Sequence, residues 1–104
     1  MAKYVLAYRG GAMAETEAAQ QAVMEQWMGW FGSLGAAVID GGNPFGPAMT
    51  LASDGSVSDG GAAALTGYSI IDATSLDDAT AKAKGCPVLS SGGTVDVYEA
   101  IEMG

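Results

Sequence analysis

Residues 66–87 read TGYSIIDATSLDDATAKAKGCP, and a change of period inside this run decides the fold. Thr66 to Ala73 is rich in β-branched and aromatic side chains and predicts a strand. At Ser75 the pattern switches. Ser75 and Asp78 have the spacing of a capping box, with Asp in place of the usual Glu, and Leu76, Ala79, Thr80 and Ala83 recur at helical steps. Lys82 and Lys84 sit where the negative helix end favours cations, and Gly85 followed by Pro87 stops the helix.

The chain before this strand-helix unit repeats its logic. Lys3 to Arg9 alternates Tyr4, Leu6 and Tyr8 against Val5, Ala7 and Arg9, and both sets are largely apolar, so both faces of this strand need cover. From about Ala14 to Leu34, Val23, Trp27, Trp30, Phe31 and Leu34 form one helical stripe. Glu15 and Glu17 suit its start and Gly35 its C-terminal cap. Gly29 and Gly32 lie opposite that stripe, either as a close approach for another element or as tolerated glycines. Ala36 to Ile39 predicts a second strand. Ala48 to Ala52 predicts a third, ended by the turn sequence at 53–56, and Ser58 to Ala64 has the composition of a loop. After the second helix, Thr94 to Met103 alternates as a half-buried strand should.

The resulting order, β-α-β-(β)-β-α-β, is the ferredoxin-like arrangement. It predicts an α+β chain whose antiparallel sheet carries two helices on one face. The apolar content of the other face then needs a second copy to hide it, which predicts a symmetric homodimer and a cleft between sheet, first helix and loops.

Composition narrows the function classes. A chain of 104 residues with 49% apolar and 15% charged side chains is one domain, spanning 1–104, with enough apolar matter to fold. Its 12 acids against four bases give a formal charge of −8, which repels nucleic acid and anionic lipid. No run reaches the roughly 18 apolar residues that cross a bilayer, and the N-terminal stretch lacks the pattern of a signal peptide. Cys86 is the single cysteine, so no internal disulfide forms, which fits a cytoplasmic protein. With no histidine, no clustered cysteines, no calcium loop, no phosphate loop and no dinucleotide fingerprint, no cofactor or metal is expected.

The segments KYVLAYRGG, WFGSLGAAVIDGGNPFGP, DGS, LTGYSIIDATSLDDATAKAKGCPV and GGTVDVYEAIEM, in that order, make the chain resemble the YCII-related (DGPF-domain) family over essentially its whole length. The resemblance implies a ferredoxin-like protomer, a homodimer closing into a dimeric α/β barrel, and a cleft near the end of the second strand of each protomer. Most relatives have no assigned activity. Some carry a His-Asp pair proposed as an acid/base site, and distant members of the barrel superfamily are isomerases, monooxygenases or dehydrochlorinases of small cyclic compounds. This chain has no histidine, and the equivalent region falls around Met24 to Trp27, so that dyad is impossible here.

The stretch DGGNPFGPAMT, residues 40–50, holds three glycines and two prolines, more than a hairpin needs. Glycines permit bends and prolines fix them, as a binding wall requires. Asp40 at its head is a candidate proton carrier if partly desolvated, or a turn cap for backbone N–H groups. Asn43, held extended by Pro44, points an amide at a ligand or serves its own turn. Arg9, the sole arginine, either holds a ligand carboxylate or pairs with one of the acids. Trp30 on the first helix and Tyr68 on the later strand are further pocket candidates, with core packing or a dimer interface as the alternatives.

Three functions are compatible with these residues. The first is a homodimer binding a small organic acid or cyclic ligand in the cleft bounded by Arg9, Trp30, Asp40, Asn43 and Tyr68. The second is a cofactor-free lyase or isomerase with Asp40 moving a proton and Arg9 stabilising the oxyanion. The third is a protein-interaction module using the glycine face of the first helix.

Overall fold

The computed structural model describes residues 2–11, 15–59 and 65–103. The elements run β1 (Ala2–Arg9), α1 (Glu17–Leu34), β2 (Val38–Asp40), β3 (Met49–Leu51), β4 (Val57–Asp59), β5 (Leu65–Ala73), α2 (Leu76–Ala83), α3 (Pro87–Ser90) and β6 (Thr94–Ala100). The chain is thus a mixed α+β protein. Its larger sheet has the order β2-β5-β1-β6 with every neighbouring pair antiparallel, while β3 and β4 form a separate antiparallel ribbon.

The decisive run behaves as its period requires. Ser75 Oγ accepts the Asp78 N–H at 3.0 Å. The reciprocal bond reaches one residue further back, because the Asp78 carboxylate accepts the Thr74 N–H at 3.0 Å as well as the Lys82 ammonium at 2.7 Å. A shorter Asp in place of Glu is thereby braced from both sides, and its carboxyl is held below the usual range, chiefly by Lys82. The second helix ends at Ala83, and Pro87 does more than stop it: Pro87 opens the short helix α3, where its missing N–H costs nothing.

Other boundaries shift for local reasons. Ala14 lies outside the described residues, and the first helix begins at Glu17 because Thr16 caps it, accepting the Ala19 N–H at 3.1 Å. Gly35, at φ +58°, closes it by donating its N–H to the Phe31 carbonyl. The strand expected from Ala36 starts instead at Val38, after a 3-10 turn at Gly35–Ala37. Val57–Asp59, whose last two residues were expected to be loop, pairs with Met49–Leu51, and residues 60–64 lie outside the described residues. Ile101 and Met103 continue past the last strand and are exposed.

Alternation places Tyr4, Leu6 and Tyr8 beside Ile71, Ser69 and Gly67 on the face that meets the helices. There they pack with Trp30, Ala79, Ala83, Cys86 and Val88. Leu6 and Ile71 have no exposed surface, each burial being worth roughly 1.5–3 kcal/mol. Small residues on α2 let that helix lie close to the sheet, while α1 is propped off it by Trp27, Trp30 and Phe31. Trp30 is buried and donates its indole N–H to the Lys82 carbonyl at 3.0 Å, and Gly85 is small enough to let that ring in: a Cβ there would stand 2.9 Å from it.

The opposite sheet face carries Val5, Ala7, Ile70 and Tyr98, together with the charged Lys3, Arg9, Asp72 and Asp96. Ala7 is buried there and Val5 and Ile70 are half-buried, Phe45 stacks on Tyr68 of the same face, and Tyr98 is 55% exposed. The β3–β4 ribbon also exposes Met49, Leu51 and Val57. The radius of gyration is 15.1 Å, where about 13 Å is usual for a chain of this length. The accessible surface is 6973 Å², where a compact monomer of this mass exposes about 5400 Å².

Candidate functional site

Because α1 stands away from the sheet, a cavity of about 550 Å³ opens beneath it. Val23, Met24, Trp27, Met28 and Phe31 supply the helix wall. Tyr8 and Gly67 contribute from the sheet, Gly41, Gly42, Asn43 and Pro44 from the loop after β2, and Thr66, Tyr68 and Val88 complete the rim. Tyr8 and Trp27 meet edge to face with centroids 5.3 Å apart, and Phe31 lies 5.8 Å from Trp27. The walls are aromatic and aliphatic almost throughout, as ligand sites usually are.

The loop wall is pinned at each end. Asp40 accepts the Gly42 N–H at 2.8 Å, the Phe45 N–H donates to the Thr66 carbonyl at 2.9 Å, and Pro44 pairs with Gly67 in an isolated bridge. Beneath it, Tyr8 donates its hydroxyl to Ser69 at 2.6 Å, and Ser69 donates to the Gly41 carbonyl at 2.7 Å. Gly42 adopts φ +77°, and a Cβ there would fall 1.7 Å from the Tyr68 carbonyl oxygen, so only glycine fits. This explains the glycine at 42: there the backbone lies directly on β5 and is fixed.

Burial raises the Tyr8 phenol far above its ordinary range, and the bond to Ser69 only partly opposes this. Cys86, buried beside Tyr8, is likewise pushed up by burial, so its thiol stays protonated and unreactive near neutrality. Among the described residues no three of His, Cys, Asp or Glu gather as metal ligands, and no helix is long and apolar enough to cross a membrane.

The five residues singled out from the sequence divide. Asn43 and Tyr68 border the cavity. Tyr68 alternates with Gly67 and Ser69, so its ring turns to the opposite face, where it stacks on Phe45 at 5.5 Å and donates to Asp40 at 3.4 Å. Asp40 sits beside the cavity but does not line it, and its carboxylate serves as the turn cap. Trp30 is one helical step past the cavity, in the core. Arg9 follows Tyr8 on the strand and therefore faces away from the cavity, its guanidinium 2.7 Å from Asp96. That ion pair is the second of the two roles the sequence offered for Arg9.

Met24, Met28, Val88 and Thr66 were not anticipated as lining residues. A signal for the first two was present: adding Met24 and Met28 to the stripe of Val23, Trp27, Trp30 and Phe31 makes an apolar surface wider than one sheet contact can use. Met24 and Met28 are accordingly 64% and 69% exposed. Gly29 and Gly32 meet no atom within 4 Å of a built Cβ, so no described element of this chain approaches them closely. No family model matches the chain, and no curated protein matches it.

Proposed function

We propose that this chain is a small-molecule-binding protein whose ligand occupies the cleft between α1 and the sheet. The observation that carries the reading is the cavity itself: about 550 Å³, walled by Trp27, Phe31, Tyr8 and two methionines, with a loop wall held by three hydrogen bonds. A pre-formed apolar hollow facing a rigid wall loses little entropy when a ligand enters.

The same proposal takes the chain as a YCII-related, ferredoxin-like protomer of a dimeric α/β barrel acting in the cytoplasm. In its favour, β1 lies centrally between β5 and β6, with α1 and α2 on one face, as that arrangement requires. The outer sheet face, with half-buried Val5 and Ile70 and exposed Tyr98, offers apolar surface that a second copy would bury. Asp40 as a proton carrier ranks below binding, since its carboxylate is engaged by Gly42 and does not line the cavity.

A thermal-shift panel of small aromatics, amides, alcohols and carboxylic acids tests the reading. One class should raise the melting temperature by several degrees in wild type and not in Trp27→Ala. Absence of any shift at millimolar ligand would reject it.

A further inference from the structure

We infer that the cleft selects flat, uncharged ligands and discriminates against organic anions. The inference rests on the cleft being a ligand site and names the ligand's chemistry. No charged side chain lines the cavity among the described residues, and segments 12–14 and 60–64 contain none in sequence.

The cations of this chain are placed elsewhere. Arg9 is on the other sheet face with Asp96, Lys82 pairs with Asp78, Lys3 lies at the far end of β1 opposite Asp72, and Lys84 follows the end of α2. Two backbone donors of the loop wall are already engaged. The Gly42 N–H is held by Asp40, the Phe45 N–H by Thr66, and Pro44 has none. The loop carbonyl of Gly41 accepts from Ser69. Among the lining side chains, what remains polar is the Asn43 amide and the Thr66 hydroxyl, which is 3.4 Å from the Gly10 carbonyl.

A carboxylate entering this site would lose its water and gain no cation, the costliest way to bury charge. The formal charge of −8 opposes its approach as well. A flat neutral ring meets the opposite conditions: Trp27, Phe31 and Tyr8 offer faces and edges, the exposed thioethers of Met24 and Met28 adapt to its outline, and Asn43 can satisfy one amide or hydroxyl.

The test is isothermal titration of the full chain with 2-naphthamide and with 2-naphthoate, which share ring and shape and differ by one charge at neutral pH. The amide should bind at least tenfold tighter. Naphthoate binding as tightly as the amide would overturn the inference while leaving the cleft a ligand site, and binding of neither at millimolar concentration would remove both. Met28→Lys, which puts a cation in the cavity wall, should raise the affinity for naphthoate relative to the amide at least fivefold, whatever it costs both ligands in packing. An unchanged ratio would show that the neutral lining does not set the preference.

Discussion

Trp27 and Trp30 stand on the same helix with ring centroids 5.6 Å apart, yet they face different environments. Trp27 borders the cavity, whereas Trp30 is 6% exposed, bonded to the Lys82 carbonyl and packed on Gly85. A step of three residues turns a helix by slightly less than one full turn, enough here to separate a ring that shapes the site from one that holds α1 to α2.

Trp30→Phe should therefore destabilise the protein by roughly 1–3 kcal/mol, through the unpaired Lys82 carbonyl and lost packing, without weakening 2-naphthamide binding. Trp27→Ala should do the reverse, abolishing binding while leaving a folded chain. Urea melts and titration calorimetry on the two variants check this.

Gly42→Ala forces a Cβ onto the Tyr68 carbonyl at a residue with φ +77°. It should cost more than about 1–3 kcal/mol and reduce binding, since the loop wall must lift off β5. Gly46→Ala, with no atom within 4 Å of its built Cβ, should stay within about 0.5 kcal/mol of wild type.

Alkaline stability should report on Tyr8. Its phenol is raised by burial, so below about pH 10 folded and unfolded chains both keep the proton and nothing changes. Above that, the unfolded chain ionises first, and stability falls with rising pH by up to about 1.4 kcal/mol per unit. Cys86, raised for the same reason, begins a similar fall from the ordinary thiol range. Tyr8→Phe should show a shallower decline of the urea midpoint above about pH 10; a slope equal to wild type would remove Tyr8 from this role.

Exposed Tyr98, beside half-buried Val5 and Ile70 on the outer sheet face, predicts self-association. At micromolar concentration, sedimentation equilibrium should give twice the chain mass of 10.4 kDa. Tyr98→Glu, placing a charge at the exposed Tyr98 of that face, should give the single-chain mass with unchanged far-ultraviolet circular dichroism. A wild-type monomer would contradict the dimer.

How much of this was legible depended on whether the signal was local. The capped helix at 76–83 was readable because cap, stripe and stop all lie within one window, and the two-faced apolar character of β1 pointed to the outer sheet face. Which face each residue took was harder. For Arg9 the sequence leaves a cleft ligand and an ion pair open, and only the pairing of β1 with β6 decides: one step beyond Tyr8 puts it on the other side, where Asp96, diagonal to it across the two strands, is its partner. Trp30 and Trp27 share a stripe in sequence, and what divides them is non-local: Trp30 meets the Lys82 carbonyl and Gly85, while Trp27 borders the cavity. Pairing of Val57–Asp59 with Met49–Leu51 is non-local and short, so composition at Ser58 and Asp59 gave no warning of it.

The most direct test of the ligand site uses the chain's two tryptophans, whose indole N–H groups give two resolvable signals in a nitrogen-15 correlation spectrum, assigned with Trp27→Phe. On titration with 2-naphthamide the Trp27 signal should move progressively to saturation while the Trp30 signal, held on the Lys82 carbonyl, stays in place. A Trp27 signal that remains fixed to millimolar ligand, or a shift confined to Trp30, would contradict the cleft as the binding site.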